Sequence, residues 1–231
     1  MKPNGEPGYE IGTQGYSVLC TTCQIKRLST KRIELQKLSA MSPKEIQSRF
    51  ADIETKNRPD TKKMLEAFQG FVKNGATGML TVFGTNGNGK TAVLIAAVNE
   101  CLDKGIPAIY ITASDLLNWI QDAFNRDNTT KDGTALDRLT RIKQIRVLAI
   151  DELQAIKMTD WRREQLENLI DHRWRFGTYD VELGTLFAMN EHPSQLQSNR
   201  ILSRISHGSA VDGTVIENND PDLRPYLQQR K

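Results

Sequence analysis

The sequence predicts an α/β protein: a parallel sheet with helices on both faces. Three observations lead there. From Met79 onward, strand-like runs of four or five residues alternate with longer segments of helical periodicity, the pattern of strand–helix–strand units. One run, Val147–Ile150, is apolar throughout, as expected of a strand covered on both faces. A glycine-rich turn, Gly84 to Gly89, joins the first of these strands to the first of these helices.

Composition admits this fold. The 231 residues are 38% hydrophobic and 26% charged, which suits one globular domain, or one domain plus an extension, with a sizeable core. No apolar run approaches the roughly 18 residues of a membrane span; the longest central one is Ala92–Val98. The opening MKPNGEPGYE has no signal-peptide apolar stretch. Three cysteines make no disulfide framework. A membrane or secreted protein is therefore not expected, and a soluble cytoplasmic one is. The net charge of +3 permits nucleic-acid binding without arguing for it.

Taken in order, the Gly- and Pro-containing opening is expected to be flexible. Residues 20–50 hold seven Lys/Arg against two Glu, and Ile25, Leu28, Leu35 and Leu38 share one helical stripe. This is a short basic amphipathic helix, either docked on the main domain or serving as an arm for a protein or nucleic acid. We place the boundary there: 1–40 a basic extension, 41–231 the main domain. Ser42-Pro43-Lys44-Glu45 is a capping box with proline at the first helical position. Met64, Leu65, Phe68, Phe71 and Val72 mark a helix that Asn74-Gly75 ends. Then follow strand Met79–Phe83, helix Lys90–Leu102 and strand Ala108–Thr112. Leu116, Trp119, Ile120 and Ala123 mark the next helix, Val147–Ile150 the next strand. Leu166, Leu169, Ile170 and Trp174 mark another helix, and Thr185–Met189 a further strand.

The chemistry begins at Gly84-Thr85-Asn86-Gly87-Asn88-Gly89-Lys90-Thr91, a full G-x-x-x-x-G-K-[ST] motif. Such a loop turns backbone N–H groups toward phosphate oxygens, and the helix beginning there adds its positive end. Lys90 is expected to reach the β- and γ-phosphates, and Thr91 to hold Mg²⁺ through its hydroxyl. Val147–Ile150 ends in Asp151-Glu152, 61 residues after Lys90, where strand ends form the ligand crevice. Asp151 is placed to hold Mg²⁺ through water, and Glu152 to polarise an attacking water as general base. Asn190, ending the strand Thr185–Met189, can orient that water. Arg200 and Arg204 stand one turn apart on a helix and can stabilise charge at a γ-phosphate, in an oligomer from the neighbouring subunit.

This order of motifs resembles the AAA+ ATPases of the DnaC/DnaI helicase-loader and IstB transposition-helper group. The resemblance covers roughly Met41 to Arg224 and includes Arg49–Asp52 and Tyr110–Leu117. It implies an AAA+ type P-loop NTPase in which Gly84 to Ala92 contact ATP. Lys90 and Thr91 would be Walker A, Asp151 and Glu152 Walker B, Asn190 sensor 1, and Arg204 the arginine finger with Arg200 just before it. The helix Ser114–Phe124 is similar to an element that contacts single-stranded DNA near the family's central pore. The 27 residues after Arg204 are too few for a full helical lid, which the loader group lacks or shortens. Asp222-Leu223-Arg224 is similar to a terminal Asp-x-Arg in relatives.

The resemblance implies an ATP-dependent helicase loader: a homo-oligomer with ATP between subunits, contacting single-stranded DNA and a replicative helicase. The alternative is a transposition helper acting on duplex DNA with a transposase. A nucleotide-gated binding module that barely hydrolyses ATP also fits the motifs. A GTPase or ABC ATPase does not, since Asn-Lys-x-Asp and Leu-Ser-Gly-Gly are absent. Cys20 and Cys23 form a lone CxxC. Two ligands do not fill a tetrahedral zinc site, though a site shared between molecules would. Cys101 is expected as a small buried hydrophobe. Trp119 and Phe124 can stack on bases or pack in the core. Arg162, Arg163, Arg173 and Arg175 are read as exposed helix charges, able to track phosphates.

Overall fold

The computed structural model describes residues 9–11, 17–19, 21–39, 41–125, 135–155, 159–179, 183–206 and 214–225. Part of the opening expected to be flexible is an antiparallel pair, β1 (Tyr9–Ile11) with β2 (Ser17–Leu19). Tyr9, Ile11 and Val18 are residue types that favour the extended chain.

Helix α1 (Thr21–Leu38) follows. Its last turns are docked rather than free. Leu35 is 7% exposed and Ser39 is 2% exposed, and the Ser39 hydroxyl donates to Leu35 O at 3.0 Å. The Asp103 carboxylate accepts from both Arg32 (Nη1, 2.5 Å) and Arg49 (Nε, 2.7 Å). Ser42 and Glu45 cap α2 (Pro43–Gln47) reciprocally, as the capping box predicts. Helix α3 (Pro59–Lys73) buries Met64, Phe68 and Val72.

The main sheet has five parallel strands: β3 (Gly78–Gly84), β4 (Ala108–Thr112), β5 (Val147–Asp151), β6 (Gly184–Met189) and β7 (Thr214–Asn218). Their spatial order is β4-β5-β6-β3-β7. Flanking it are α4 (Lys90–Asp103), α5 (Ala113–Asn125), α6 (Ala135–Gln144), α7 (Asp160–Tyr179) and α8 (Asn199–Ser206). Every residue of β5 and of β6 is buried, which places both inside the stack of layers. Helix α4 packs against the sheet and against α3, which itself meets β3 and β7, and Val93 to Val98 are at most 2% exposed. This is a parallel α/β arrangement in which a glycine-rich turn joins an interior strand to the helix that follows it. Among the described residues, no helical lid follows β7.

Sequence reading missed α6 and β7. The apolar residues of α6 are diluted by charges, and β7 is a five-residue edge strand, Thr-Val-Ile-Glu-Asn, with three polar residues. Missing β7 hid a consequence. With β7 on one side and β6 on the other, β3 is interior, and the chain leaving its end crosses to the far side of β6. The crevice opens at that reversal of strand order, directly above the glycine-rich turn.

One expectation is overturned in the core. Arg173 is not an exposed helix charge; it is 1% exposed. Its guanidinium donates to Ile142 O (3.0 Å), Lys143 O (3.1 Å), Ile145 O (2.8 Å), Gly184 O (2.6 Å) and Thr185 Oγ1 (2.9 Å). It ties the end of α6 to the start of β6. Three of these oxygens come from the carbonyl end of α6, where the helix dipole favours a cation. Burial nevertheless pulls the guanidinium down to about 9. Cys101 is buried as expected, and burial pushes its thiol up to about 12.

Candidate nucleotide site

A cavity of about 850 Å³ lies over the strand ends. One wall is the loop Asn86–Ala92; Asp151, Glu152 and Asn190 lie along the strand ends. The opposite wall is the α2 segment, Lys44 to Ser48, and Arg224 stands at the side. The size falls in the range of small-ligand sites, roughly 300–1,000 Å³.

The loop's shape depends on backbone that only glycine adopts readily. Gly84 has φ +139, and a Cβ there would lie 2.0 Å from Asn218 O. Gly89 has φ +96 and caps α4. Behind the loop is a clamp that sequence reading did not find. Asn88 Nδ2 donates to Asn218 O, and Asn218 Nδ2 to Asn88 O at 3.3 Å. Arg58 donates to Asn88 O (3.2 Å) and Pro221 O (2.7 Å). Thr61 N donates to Asp220 Oδ2 at 2.7 Å, and Leu223 N to Gly87 O at 2.9 Å. Three stretches far apart in the chain thus hold the loop from behind. No short-range pattern signals that.

Lys90 is 6% exposed. Its Nζ donates to Gly84 O (2.9 Å), Thr85 O (2.6 Å) and Asn88 Oδ1 (3.1 Å). All three N–H bonds are spent on the loop itself, so a phosphate would draw them off one by one. Burial pulls its ammonium down to about 8; the Asp151 charge opposes that and the Arg224 charge adds to it.

Asp151, 4% exposed, ends β5 with both oxygens engaged. Oδ2 accepts from Thr91 Oγ1 at 2.7 Å and Tyr110 Oη at 3.0 Å; Oδ1 accepts from Glu152 N at 2.8 Å. Burial first, then the Asp151 charge, raises the Tyr110 phenol far above its usual value, so it remains a donor. Sequence reading quoted Tyr110 within a segment but assigned it nothing, because it lies 41 residues from Asp151. Glu152 is exposed at the cavity rim with φ +54, a left-handed conformation that costs a non-glycine residue energy and marks functional turns. Asn190 is likewise exposed at the rim. The touching pair Thr91 Oγ1 and Asp151 Oδ2 supplies hard oxygens of the kind Mg²⁺ takes with phosphate and water, so the residues present fit that ion.

Arg200 and Arg204 are not part of this cavity. Both lie on α8 against Asp171: Arg200 Nη2 at 3.0 Å and Arg204 Nε at 2.9 Å. The Arg204 guanidinium also lies 3.9 Å above the Trp174 ring. Burial tends to raise the Asp171 pKa, but hydrogen bonds from Arg204 and Arg200 outweigh it and hold the carboxyl below its usual value. Arg224 pairs instead with Asp222, Nη2 to Oδ2 at 2.6 Å.

Trp119 packs partly buried against the core, with the Arg138 guanidinium 5.1 Å over its ring. Cys20 and the side chains of Cys23 and Phe124 lie outside the described residues. Among the described residues no cluster of three His, Cys, Asp or Glu side chains could hold a metal. None of the described helices is long and apolar enough to cross a membrane.

Comparison with known proteins bears on the whole arrangement. A family described as IstB-like ATP binding protein matches residues 20–219. The replicative helicase loader DnaI of Bacillus subtilis is 27% identical over 119 residues, covering 51% of this chain and 35% of DnaI. The chain thus spans about a third of that relative's length. Among solved structures, AMPPCP-bound DnaA from Aquifex aeolicus matches with a TM-score of 0.65 at 20% identity, over 83% of this chain and 55% of DnaA. A DnaC helicase loader matches with a TM-score of 0.60 at 19% identity, over 77% of this chain and all of that one. At these identities the structures speak for the fold.

Proposed function

The chain belongs to the IstB-like ATP-binding proteins, and on that premise we propose that it is an ATP-hydrolysing helicase loader of AAA+ type, which delivers or opens a replicative helicase. One observation carries the reading: Lys90, Thr91 and Asp151 converge on the floor of one cavity while Glu152 and Asn190 stand at its rim. Lys90 exchanges the loop carbonyls for phosphate oxygens. Thr91 and Asp151 hold Mg²⁺, which neutralises phosphate charge when bound. Asn190 orients a water, and Glu152 takes its proton as the water oxygen bonds to the γ-phosphorus and the bond to ADP breaks.

Arg200 and Arg204 lie outside the chain's own cavity, which fits a finger that serves a neighbouring subunit's ATP in a homo-oligomer. The basic extension 1–40 is read as a dock for a replicative helicase. Single-stranded DNA is the second partner, and the cytoplasm the location. A second reading, which the same ATP-site residues would serve equally, is a transposition helper acting on duplex DNA with a transposase.

The experiment is fluorescence anisotropy on single-stranded and duplex DNA at fixed salt, with and without a slowly hydrolysed ATP analogue. ATP-dependent preference for single strands supports the loader. Preference for duplex supports the transposition helper and overturns the loader. Lys90→Ala should lose ATP binding, and Glu152→Gln should bind ATP but turn it over slowly. Turnover by Glu152→Gln equal to the parent's would remove the base assignment.

A further inference from the structure

We infer that Tyr110 is the positioning residue of the Mg²⁺-holding carboxylate, setting the orientation of Asp151 for the ion; this rests on the nucleotide-site reading above. Asp151 Oδ2 receives two hydroxyls, from Thr91 at 2.7 Å and from Tyr110 at 3.0 Å. They differ in freedom. Thr91 is at the start of α4 on the phosphate loop and would face the ion itself. Tyr110 is on β4, beside β5 in the parallel ladder, with Tyr110 opposite Ala149.

The phenol is held at both ends. Its backbone N–H donates to Ser39 Oγ at 3.0 Å, and its hydroxyl donates to Asp151. The ring lines a second cavity of about 380 Å³ on the β4 side, along with Leu38, Trp119 and Ile142. Tyr110 is therefore a fixed strut from the end of α1 to the carboxylate, and it reaches that carboxylate from β4 rather than from the glycine-rich loop. When Thr91 turns to the ion, Tyr110 keeps its bond and prevents the carboxylate from rotating. A carboxylate left with only the Glu152 N–H on Oδ1 would be free to swing about that one contact.

The substitution Tyr110→Phe removes the hydroxyl alone and leaves the ring in place. The probe is a fluorescent N-methylanthraniloyl derivative of ATP, titrated in EDTA and again across Mg²⁺ concentrations. The parent should bind more tightly with Mg²⁺. Tyr110→Phe should match the parent in EDTA and need about tenfold more Mg²⁺ for half of the gain, the usual effect of losing a partner behind a metal ligand. In an Asp151→Asn background the same substitution should change nothing further, a result that a general packing defect would not produce.

An equal Mg²⁺ requirement in the parent and Tyr110→Phe overturns the assignment while leaving the ATP site standing. So does an equal loss with and without Mg²⁺, or a parent that gains nothing from Mg²⁺. A parent that binds no nucleotide in either buffer overturns the site reading and the assignment with it.

Discussion

Gly84→Ala and Gly89→Ala separate two demands that the loop makes on its glycines. Both residues have positive φ, +139 and +96. Each alanine therefore carries backbone strain, about 1–3 kcal/mol. Their surroundings differ. A Cβ at Gly89 meets nothing within 4 Å, whereas one at Gly84 would sit 2.0 Å from Asn218 O and 2.8 Å from Asn218 C. Both of these are backbone atoms, so no side chain can swing away. The end of β7 has to move, breaking the Gly84–Asn218 rung and the Asn88 bond to Asn218 O. At about 1 kcal/mol for each lost hydrogen bond, the added cost is about 2 kcal/mol. With a urea slope of about 2 kcal/mol/M, Gly84→Ala should unfold about 1 M below Gly89→Ala. Urea denaturation followed by circular dichroism reads this directly. Coincident midpoints would refute the claim that β7 closes against the loop, as would a lower midpoint for Gly89→Ala.

Four further outcomes follow from charges. On the proposed role of Lys90, nucleotide binding needs its ammonium protonated, and burial pulls its pKa down to about 8, so affinity should hold up to pH 7 and fall toward tenfold per unit above pH 8. Calorimetric titration with ADP checks this. The same shift acts oppositely on the fold. The unfolded lysine keeps its proton up to the ordinary 10.5, so the unfolded chain binds more protons between pH 8 and 10.5, and this group's contribution to stability rises with pH there. Arg173→Met would withdraw five hydrogen bonds from buried carbonyl and hydroxyl oxygens and should cost about 3–5 kcal/mol, as two or three buried acceptors left without a donor would at about 1–3 kcal/mol each; denaturant melts check it, with Arg173→Lys falling between. Asp171→Ala should release Arg200 and Arg204 from their shared anchor, lowering turnover at high protein concentration while leaving ADP affinity unchanged.

The phosphate loop was legible because its chemistry is local. Eight consecutive residues carry the glycines, the lysine and the hydroxyl, and a strand and a helix adjoin them in sequence. The strand ending in Asp151-Glu152 was legible for a similar reason, since burial on both faces writes an uninterrupted apolar run. The capping box at Ser42 spans four residues, and the structure closes it as read.

Arg173 shows where such reading stops. A charged residue on a polar helix looks solvated until the end of another helix supplies its acceptors. Tyr110 is one more aromatic in a strand until β4 lies beside β5 and brings its hydroxyl to Asp151. Arg58, Asn218 and Asp220 carry no signal at all, because their common object, the back of the loop, exists only once β7 pairs with β3. Patterns within a few residues reflect the backbone's own preferences and the side of an element that faces the core. Contacts between residues tens to more than a hundred positions apart depend on strand order, which no single segment encodes. That is why the phosphate loop and the acids could be read from the chain, while the groups that hold them in place emerged from the folded sheet.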